Sequence, residues 1–243
     1  MRIISWNCNK SFRTKVKLIS QLQPDIAVIQ ECEDINNRVF EDEIQPNHKF
    51  HYSTGGIGKI GIGLLSYTDY KFKVDNSDLE EVYLNLDLGI KCVAEGPAPV
   101  QLLGLWTGPH PDNDSIHYVH SVSTFLKKYS NWIKQNNTII LGDFNSNLTY
   151  DVKNRKSHEI MLNLMDEAGL CSAYHTFFRE DQGKETRPTF YFHKKNESTQ
   201  HIDHIFIPKT LAGHIKNIEI GTYDAWGTHS DHVPFILDID YPR

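Results

Sequence analysis

The sequence predicts an α+β fold in which two mostly antiparallel β-sheets pack face to face, with helices outside them in a four-layer α/β/β/α sandwich. Eleven strand-like runs against three helix-like runs are too many strands for a doubly wound parallel fold. The runs 61–66, 82–94 and 100–106 follow one another through short turns, as antiparallel strands do. No repeat or linker divides the 243 residues, so one domain, 1–243, is expected.

The strand-like segments are short apolar or alternating runs between turn residues. They cover 2–7, 25–31, 49–53, 61–66, 82–94, 100–106, 138–143, 189–193, 202–208, 215–221 and 233–240. Apolar residues at helical spacing predict three helices. These helices cover 14–22 before Pro24, about 116–133 after the cap candidates Asp112 to Asp114, and about 156–168 before Gly169.

Charge, apolar runs and cysteine spacing limit the kinds of function that this protein could have. A net charge of −6 and a pI of about 6.1 exclude binding of nucleic acid through overall positive charge, so such binding would need a local basic patch or a metal. No apolar run approaches the roughly 18 residues of a membrane span. The four cysteines show no CxxC spacing, so neither a zinc site nor a disulfide framework is indicated. With no secretory leader, these features favour a soluble protein of the reducing cytoplasm, without a membrane partner.

Polar side chains stand where several predicted strands end. Asn7 and Asn9 close the first strand and share a face, since they are two residues apart. Glu31 ends the second strand, and Asp143 and Asn145 follow the buried run 139–141. Each alone is an ordinary turn former or helix cap.

Two further strand ends carry ionisable groups. Asp203 interrupts the run 202–208, and Asp231 with His232 precedes the last strand. Together with the other strand ends they place negative charge in one region, which is unfavourable unless a cation shares it. Mg²⁺ (or Mn²⁺) takes carboxylate and amide oxygens and leaves positions for phosphate oxygens. Glu31 is the best candidate ligand, with an amide oxygen from Asn7 or Asn9.

Five motifs resemble a known family. SWNCN (5–9), IQE (29–31), GDFN (142–145), HIDHIF (201–206) and SDHVP (230–234) occur in the order and approximate spacing of the endonuclease/exonuclease/phosphatase superfamily. This superfamily includes the pancreatic-type deoxyribonucleases and the exonuclease-type abasic-site endonucleases. The resemblance covers nearly the whole chain and implies a two-sheet sandwich with the active site at one end of the sheets.

The resemblance implies a metal site and an attacking water. Asn7 and Glu31 match the metal-binding pair of the family, and Asn9 matches a position that members fill with Asp or Asn. Asp143 matches the carboxylate that orients or deprotonates the attacking water. Asn145 matches the amide that holds this water or the phosphate.

The resemblance also implies a histidine at the scissile phosphate. His232 matches it, Asp203 matches its carboxylate partner, and Asp231 matches a second acidic position near the metal. After the sixth predicted strand, members present a His or Tyr to the phosphate, whereas this chain has Trp106, with His110 four residues on. We expect His110 to take that role, because a strand-end Trp more often packs than reacts.

Basic residues are expected to rim this site, because the runs 13–17 and 153–156 follow the strands that carry Asn7 and Asp143. The substrate-binding candidates are Arg13, Lys15, Arg155, Lys156, His193 and His201. Solvated helix starts explain the two runs equally well. A basic rim is nevertheless the main sequence ground for a polymeric substrate bound through its phosphates.

The expected function is Mg²⁺- or Mn²⁺-dependent cleavage of phosphodiester bonds in nucleic acid by metal-assisted attack of water, with DNA favoured over RNA and endo and exo modes both open. The alternative is a phosphatase or phosphodiesterase acting on a small-molecule, nucleotide or lipid phosphate ester. A catalytically silent binding module is less favoured, since a competent residue fills every key position. The sequence gives no indication of oligomeric state.

Overall fold

The computed structural model describes residues 1–36, 38–41, 43–53, 60–75, 88–108, 119–135, 137–149 and 152–241, and within them the side chains of all but 88 and 152–155. The strands in this part of the chain are β1 Arg2–Asn7, β2 Ile26–Cys32, β3 His48–Tyr52, β4 Gly61–Ser66, β5 Lys71–Val74, β6 Leu88–Glu95, β7 Val100–Trp106, β8 Ile139–Asp143, β9 Leu170–Ser172, β10 Phe190–Tyr191, β11 Thr199–Gln200, β12 Asp203–Pro208, β13 Ile215–Ile220 and β14 Phe235–Ile239.

Two six-stranded sheets contain all but β10 and β11, which pair with each other. The first sheet has the order β13-β14-β1-β2-β4-β3 and the second has the order β5-β6-β7-β8-β12-β9. The pairs β1–β2 and β7–β8 are parallel, and the other recorded pairs are antiparallel. The prediction of two mostly antiparallel sheets is therefore confirmed.

The helices are α1 Val16–Ser20, α2 Val119–Gln135, α3 Val152–Glu167, α4 Ala173–Phe178 and α5 Tyr223–Trp226. The predicted helix 14–22 is shorter than expected, because a 3-10 turn at Phe12–Thr14 precedes the single turn of α1. The predicted start of α2, with its cap candidates Asp112 to Asp114, lies outside the described residues. None of the helices that the structure describes has the length and apolar character needed to cross a bilayer.

Apolar side chains form three layers of packing. The largest cluster fills the space between the two sheets and includes Val28, Leu64, Leu102, Leu141 and Ile205. A second cluster joins α2 and α3 to the outer face of the second sheet, and a third joins α1 to the outer face of the first sheet. This is the predicted α/β/β/α order, and burial of these apolar surfaces is the main stabilising contribution to it. All four cysteines are free thiols.

The two parallel pairs bring the predicted strand ends together. Asn7 at the end of β1 is level with Gln30 of β2, and Trp106 at the end of β7 is level with Asp143 of β8. Because β12 runs antiparallel to β8, its first residue, Asp203, lies opposite Asp143. The side chain of Asn7 contacts Asp143 across the gap between the sheets. The polar strand ends therefore meet at one end of the sandwich.

Candidate active site

The centre of the site is a line of three buried ionisable side chains. Asp143 ends β8, Asp203 begins β12 opposite it, and His232 lies between their carboxylates. The Nδ1 of His232 donates to Asp203 at 2.9 Å, and its Nε2 lies 3.7 Å from an oxygen of Asp143. The two aspartates are 1% exposed and the histidine is 5% exposed. Residues predicted from three separate motifs thus meet in one place.

Electrostatic interactions within this line set its protonation. Burial would lower the pKa of His232, but Asp203 and Asp143 together raise it to about 10, so the imidazole is positively charged at neutral pH. Burial raises the pKa of Asp143 to about 7, although His232 acts in the opposite direction. A carboxylate with a pKa near neutrality is suited to accept a proton from water.

Asn145 holds the Asp143 carboxylate from the loop that follows β8. Its backbone N–H donates to Asp143 Oδ1 at 2.9 Å, and its side-chain Nδ2 donates to Oδ2 at 3.1 Å. The same Nδ2 donates to the carbonyl of Thr107, just after β7, at 2.7 Å. Thr107 was not among the predicted residues, because a contribution through a backbone carbonyl leaves no signal in the side-chain pattern.

Asn7 connects this line to Glu31. Its Nδ2 donates to Asp143 Oδ2 at 3.0 Å and to Glu31 Oε1 at 3.2 Å. Its Oδ1 accepts from the backbone N–H of Asn9 at 3.0 Å. In this arrangement Asn7 orients two carboxylates through its nitrogen. Its predicted role as a direct metal ligand requires the amide oxygen to turn toward Glu31.

Glu31 lies in an irregular part of β2. The register between β2 and β4 shifts between Ile29 and Cys32, and Glu31 has a φ of 52°. A left-handed backbone at a non-glycine residue costs of order 1 kcal/mol or more, and it persists only where the surrounding structure enforces it. Bulges of this kind turn a side chain toward an active site. Here the half-buried carboxylate of Glu31 is turned toward Asn7.

Asn9 and Asp231 form the next polar pair of the site. The Nδ2 of Asn9 donates to Asp231 Oδ1 at 2.9 Å. Beside them, the buried hydroxyl of Ser230 donates to the carbonyl of Asn7 at 2.8 Å and accepts from the backbone N–H of His232 at 3.1 Å. Ser230 thus ties the loop that carries Asp231 and His232 to the end of β1. The motif SDHVP contains this serine, but its spacing assigns it no role.

Three further residues hold His232 and Asp203 in place. The Nε1 of Trp6 donates to the carbonyl of His232 at 3.0 Å, and the ring of Phe190 lies 4.7 Å from the imidazole between centroids. The buried hydroxyl of Thr189 accepts from the backbone N–H of Asp203 at 3.0 Å. Phe190 and Thr189 are neighbours in the chain, at the start of β10 and just before it.

Three of the predicted substrate-binding side chains are exposed: Arg13, Lys156 and His193. Arg13 pairs with Glu33 at 2.9 Å. The side chain of Arg155 and the whole of His110 lie outside the described residues, so their predicted roles stay predictions. Trp106 packs against the core between the sheets, in agreement with a packing role.

Lys15 and His201 have partners within the protein. The ammonium of Lys15 donates to the carbonyls of Cys8, Asn9 and Lys10. His201 is 3% exposed, and its Nδ1 lies 2.8 Å from the carbonyl of Arg187. Its ring is buried, as that of His232 is, and the expectation that His201 contacts a phosphate stays a prediction.

The acidic groups of the site suit a hard cation. Asp143 and Asp203 place carboxylate oxygens within 4.8 Å of each other and of a ring nitrogen of His232, and this is the one cluster of its kind in the described part of the chain. The proton of His232 compensates one carboxylate, while Glu31 and Asp231 bring further negative charge to the contacts described above. One oxygen of Asp203 is also buried without a hydrogen-bond partner. Excess negative charge on oxygen donors is what a divalent cation stabilises.

A family model described as the Endonuclease/Exonuclease/phosphatase family matches residues 4–232. This range contains every residue of the site described above. No curated protein matches the sequence.

Solved structures of the same fold align over almost the entire chain. A 3′ phosphatase, NExo from Neisseria bound to a product DNA hairpin, has a TM-score of 0.70 and 18% identity over 99% of this chain and 100% of that one. An AP endonuclease from Archaeoglobus fulgidus has a TM-score of 0.69 and 18% identity over 99% of each chain. The endonuclease domain of TRAS1, a telomere-specific non-LTR retrotransposon, has a TM-score of 0.68 and 15% identity over 100% of this chain and 99% of that one. These likenesses show the fold, and the family match over nearly the whole length shows that the chain belongs to the endonuclease/exonuclease/phosphatase family.

Proposed function

We propose that this protein is a Mg²⁺- or Mn²⁺-dependent phosphodiesterase that hydrolyses nucleic acid, DNA in preference to RNA. The observation that carries the proposal is the placement of His232 between Asp203 and Asp143, with Glu31 joined to Asp143 through Asn7. This arrangement puts a proton acceptor, a fixed positive charge and oxygen donors for a cation side by side. Each of the three assists the attack of water on a phosphodiester.

The proton of the attacking water goes to Asp143. Its raised pKa, about 7, makes it a stronger base than an ordinary aspartate. Asn145 and Asn7 hold both of its oxygens, so the acceptor is oriented before substrate binds. His232 supplies a positive charge that stabilises the negative charge developing on the phosphate oxygens. Removal of one such group typically lowers the rate by roughly a hundredfold or more.

Glu31 is the residue expected to hold the cation, with support from the Asn9–Asp231 pair. His232 is unsuited to metal binding, because a protonated imidazole has no free lone pair. A bound Mg²⁺ would neutralise charge on the phosphate and lower the pKa of an attacking water. Asn7 orients the Glu31 carboxylate from its buried position at the end of β1.

A polymeric substrate is supported by the exposed turn that follows Phe190. Phe192 is 51% exposed and contacts Phe190, whose ring packs on His232. Lys194 and Lys195 follow it and are exposed. An exposed aromatic ring beside two ammonium groups suits a nucleobase and its flanking phosphates. The DNA hairpin bound to the Neisseria 3′ phosphatase favours DNA and makes a 3′-phosphorylated DNA end the second candidate substrate.

A substrate panel tests the proposal. Supercoiled plasmid, single-stranded DNA, 3′-phosphorylated duplex, RNA and a chromogenic phosphodiester are incubated with the protein, with and without EDTA. We expect DNA cleavage that EDTA abolishes, that Mg²⁺ or Mn²⁺ restores, and that an Asp143→Asn variant lacks. Hydrolysis of the chromogenic ester alone would overturn the nucleic-acid assignment. Full activity of the Asp143→Asn variant would overturn the mechanism.

A further inference from the structure

The loop after β1 has a strained backbone. Asn9, Lys10 and Ser11 have φ values of 48°, 64° and 50°, three consecutive left-handed residues of which none is glycine. L-residues visit this region as single residues, so a run of three is disfavoured unless outside contacts hold it. The first of them, Asn9, donates to Asp231 in the active site. The groups that stabilise this loop therefore also position the hydrogen bond between Asn9 and Asp231.

Lys15 holds the carbonyl side of the loop. Its Nζ lies 2.5 Å from the carbonyl oxygen of Cys8, 3.3 Å from that of Asn9 and 2.9 Å from that of Lys10. An ammonium group has three N–H donors, and these three carbonyls can engage all of them. The side chain is half-buried, and burial lowers its pKa. No N–H is left to bind a phosphate while this arrangement persists.

Glu33 holds the amide side of the same segment. Its carboxylate accepts from the backbone N–H of Phe12 at 2.7 Å and from that of Arg13 at 3.2 Å. The guanidinium of Arg13 donates to it as well, at 2.9 Å. Glu33 lies two residues after Glu31, so the contact also ties the loop to the strand that carries the expected metal ligand.

We propose that Lys15 and Glu33 are positioning residues that hold Asn9 against Asp231 and thereby set the affinity of the active site for its cation. This inference rests on the proposed function and changes the role expected for Lys15, from phosphate contact to loop support. Partners that orient groups near a metal typically change its affinity 10- to 100-fold when removed, about the size expected here.

The test compares Lys15→Met with Lys17→Met. Both variants lose one positive charge, but Lys17 is exposed on α1 and lies outside the contacts that hold the loop. In Lys15→Met we expect Mn²⁺ affinity, measured by electron paramagnetic resonance of the free ion, to fall about tenfold or more. Amide hydrogen exchange in residues 9–13 should become faster. Lys15→Arg should restore part of both, and Lys17→Met should resemble the native protein.

Glu33→Gln is the second variant, in case Lys15→Met folds poorly, and its effects should have the same direction.

The salt dependence of DNA binding distinguishes a positioning role of Lys15 from a direct contact between Lys15 and a phosphate. The slope should be unchanged in Lys15→Met, whereas a lost phosphate contact would reduce it by about one. Unchanged exchange and Mn²⁺ affinity in Lys15→Met, or a reduced salt slope, would overturn the inference. If the native protein neither binds Mn²⁺ nor cleaves DNA, the proposed function fails, while hydrogen exchange still reports on the loop.

Discussion

Asp143 and Asp203 lie directly opposite each other on β8 and β12, and the imidazole of His232 contacts both carboxylates. Like charges at opposed positions of antiparallel strands destabilise a sheet. Here both carboxylates are buried, and the imidazolium between them offsets their repulsion. A shift of β12 by one residue would turn Asp203 to the other face, away from Asp143 and His232. The pairing of β8 with β12 thus places the two carboxylates that raise the pKa of His232, and the charged imidazole in turn stabilises them.

Replacing Asp203 with Asn should lower activity and move its pH dependence. Asp203 is the largest of the interactions that raise the pKa of His232, so its loss lowers that pKa and the imidazolium is lost at lower pH. We expect kcat/KM to fall roughly 10²- to 10³-fold and the alkaline limb of its pH profile to shift to lower pH. Asp238→Asn, which removes a carboxylate paired with Arg2, is the control. An alkaline limb that does not move would argue against the pairing.

The ends of several strands could be predicted from sequence, because an apolar run is followed there by a polar or turn-forming residue. The segments 2–7, 61–66 and 100–106 match β1, β4 and β7 at both ends. The segment 189–193 was predicted as a strand too long by three residues. Only Phe190 and Tyr191 pair, because the 3-10 turn Phe192–Lys194, in which His193 has a φ of 53°, follows them. Because His193 is not a glycine, the sequence gives no sign of its left-handed conformation.

Replacing Glu31 with Gln should weaken cation binding. The amide keeps the size of the side chain and removes the negative charge expected to hold Mg²⁺. We expect the half-saturating concentration of Mg²⁺ to rise at least tenfold, about the lower bound seen when groups around a metal are removed. Activity titrated with Mg²⁺ measures this. Asp34→Asn, a change of charge at an exposed position three residues along, should leave the titration as it is in the native protein. Equal titrations for both variants would place the cation elsewhere.

Parts of the site that act through backbone contacts could not be predicted. Ser230 and Thr189 are buried hydroxyls that bond to backbone N–H groups, and nothing in their sequence context separates them from other buried Ser and Thr. The left-handed conformation of Glu31 likewise depends on the pairing of β2 with β4, a tertiary feature. The side chains expected to take part in the chemistry could be identified from the sequence, whereas the groups that orient them require the fold.

A group of buried histidines should make the protein less stable in acid. Burial lowers the pKa of His158 to about 4, and it lowers the pKa of His201 and His204 as well. Between each lowered pKa and the ordinary value of 6.5, the unfolded chain binds more protons than the folded one. The free energy of unfolding should therefore fall as pH decreases below about 6.5, with each such histidine contributing at most about 1.4 kcal/mol per pH unit.

Urea denaturation at about pH 5 and about pH 7.5 measures this dependence. His158→Asn removes one of the titrating groups, while an Asn amide can still bond to the Ser146 hydroxyl that pairs with His158 Nδ1. The free energy of unfolding should fall less between the two pH values in this variant than in the native protein. In His214→Asn, at an exposed position, it should fall as much as in the native protein. A native-sized loss in His158→Asn would mean that this histidine does not titrate as described.

The exposed turn after β10 should contribute to binding of nucleic acid and much less to the chemistry. Phe192→Ala removes a ring that is 51% exposed, and stacking of a base on such a ring is worth about 1 to 3 kcal/mol. DNA affinity should fall about fivefold or more, while hydrolysis of a chromogenic phosphodiester should change far less.

Lys194→Met and Lys195→Met should each reduce the slope of log affinity against log salt by about one if the ammonium contacts a phosphate. Lys216→Met, an exposed lysine on β13, is the control for loss of charge alone. If all three lysine variants lower affinity equally, the turn contributes only through net charge, and the substrate path lies elsewhere on the protein surface.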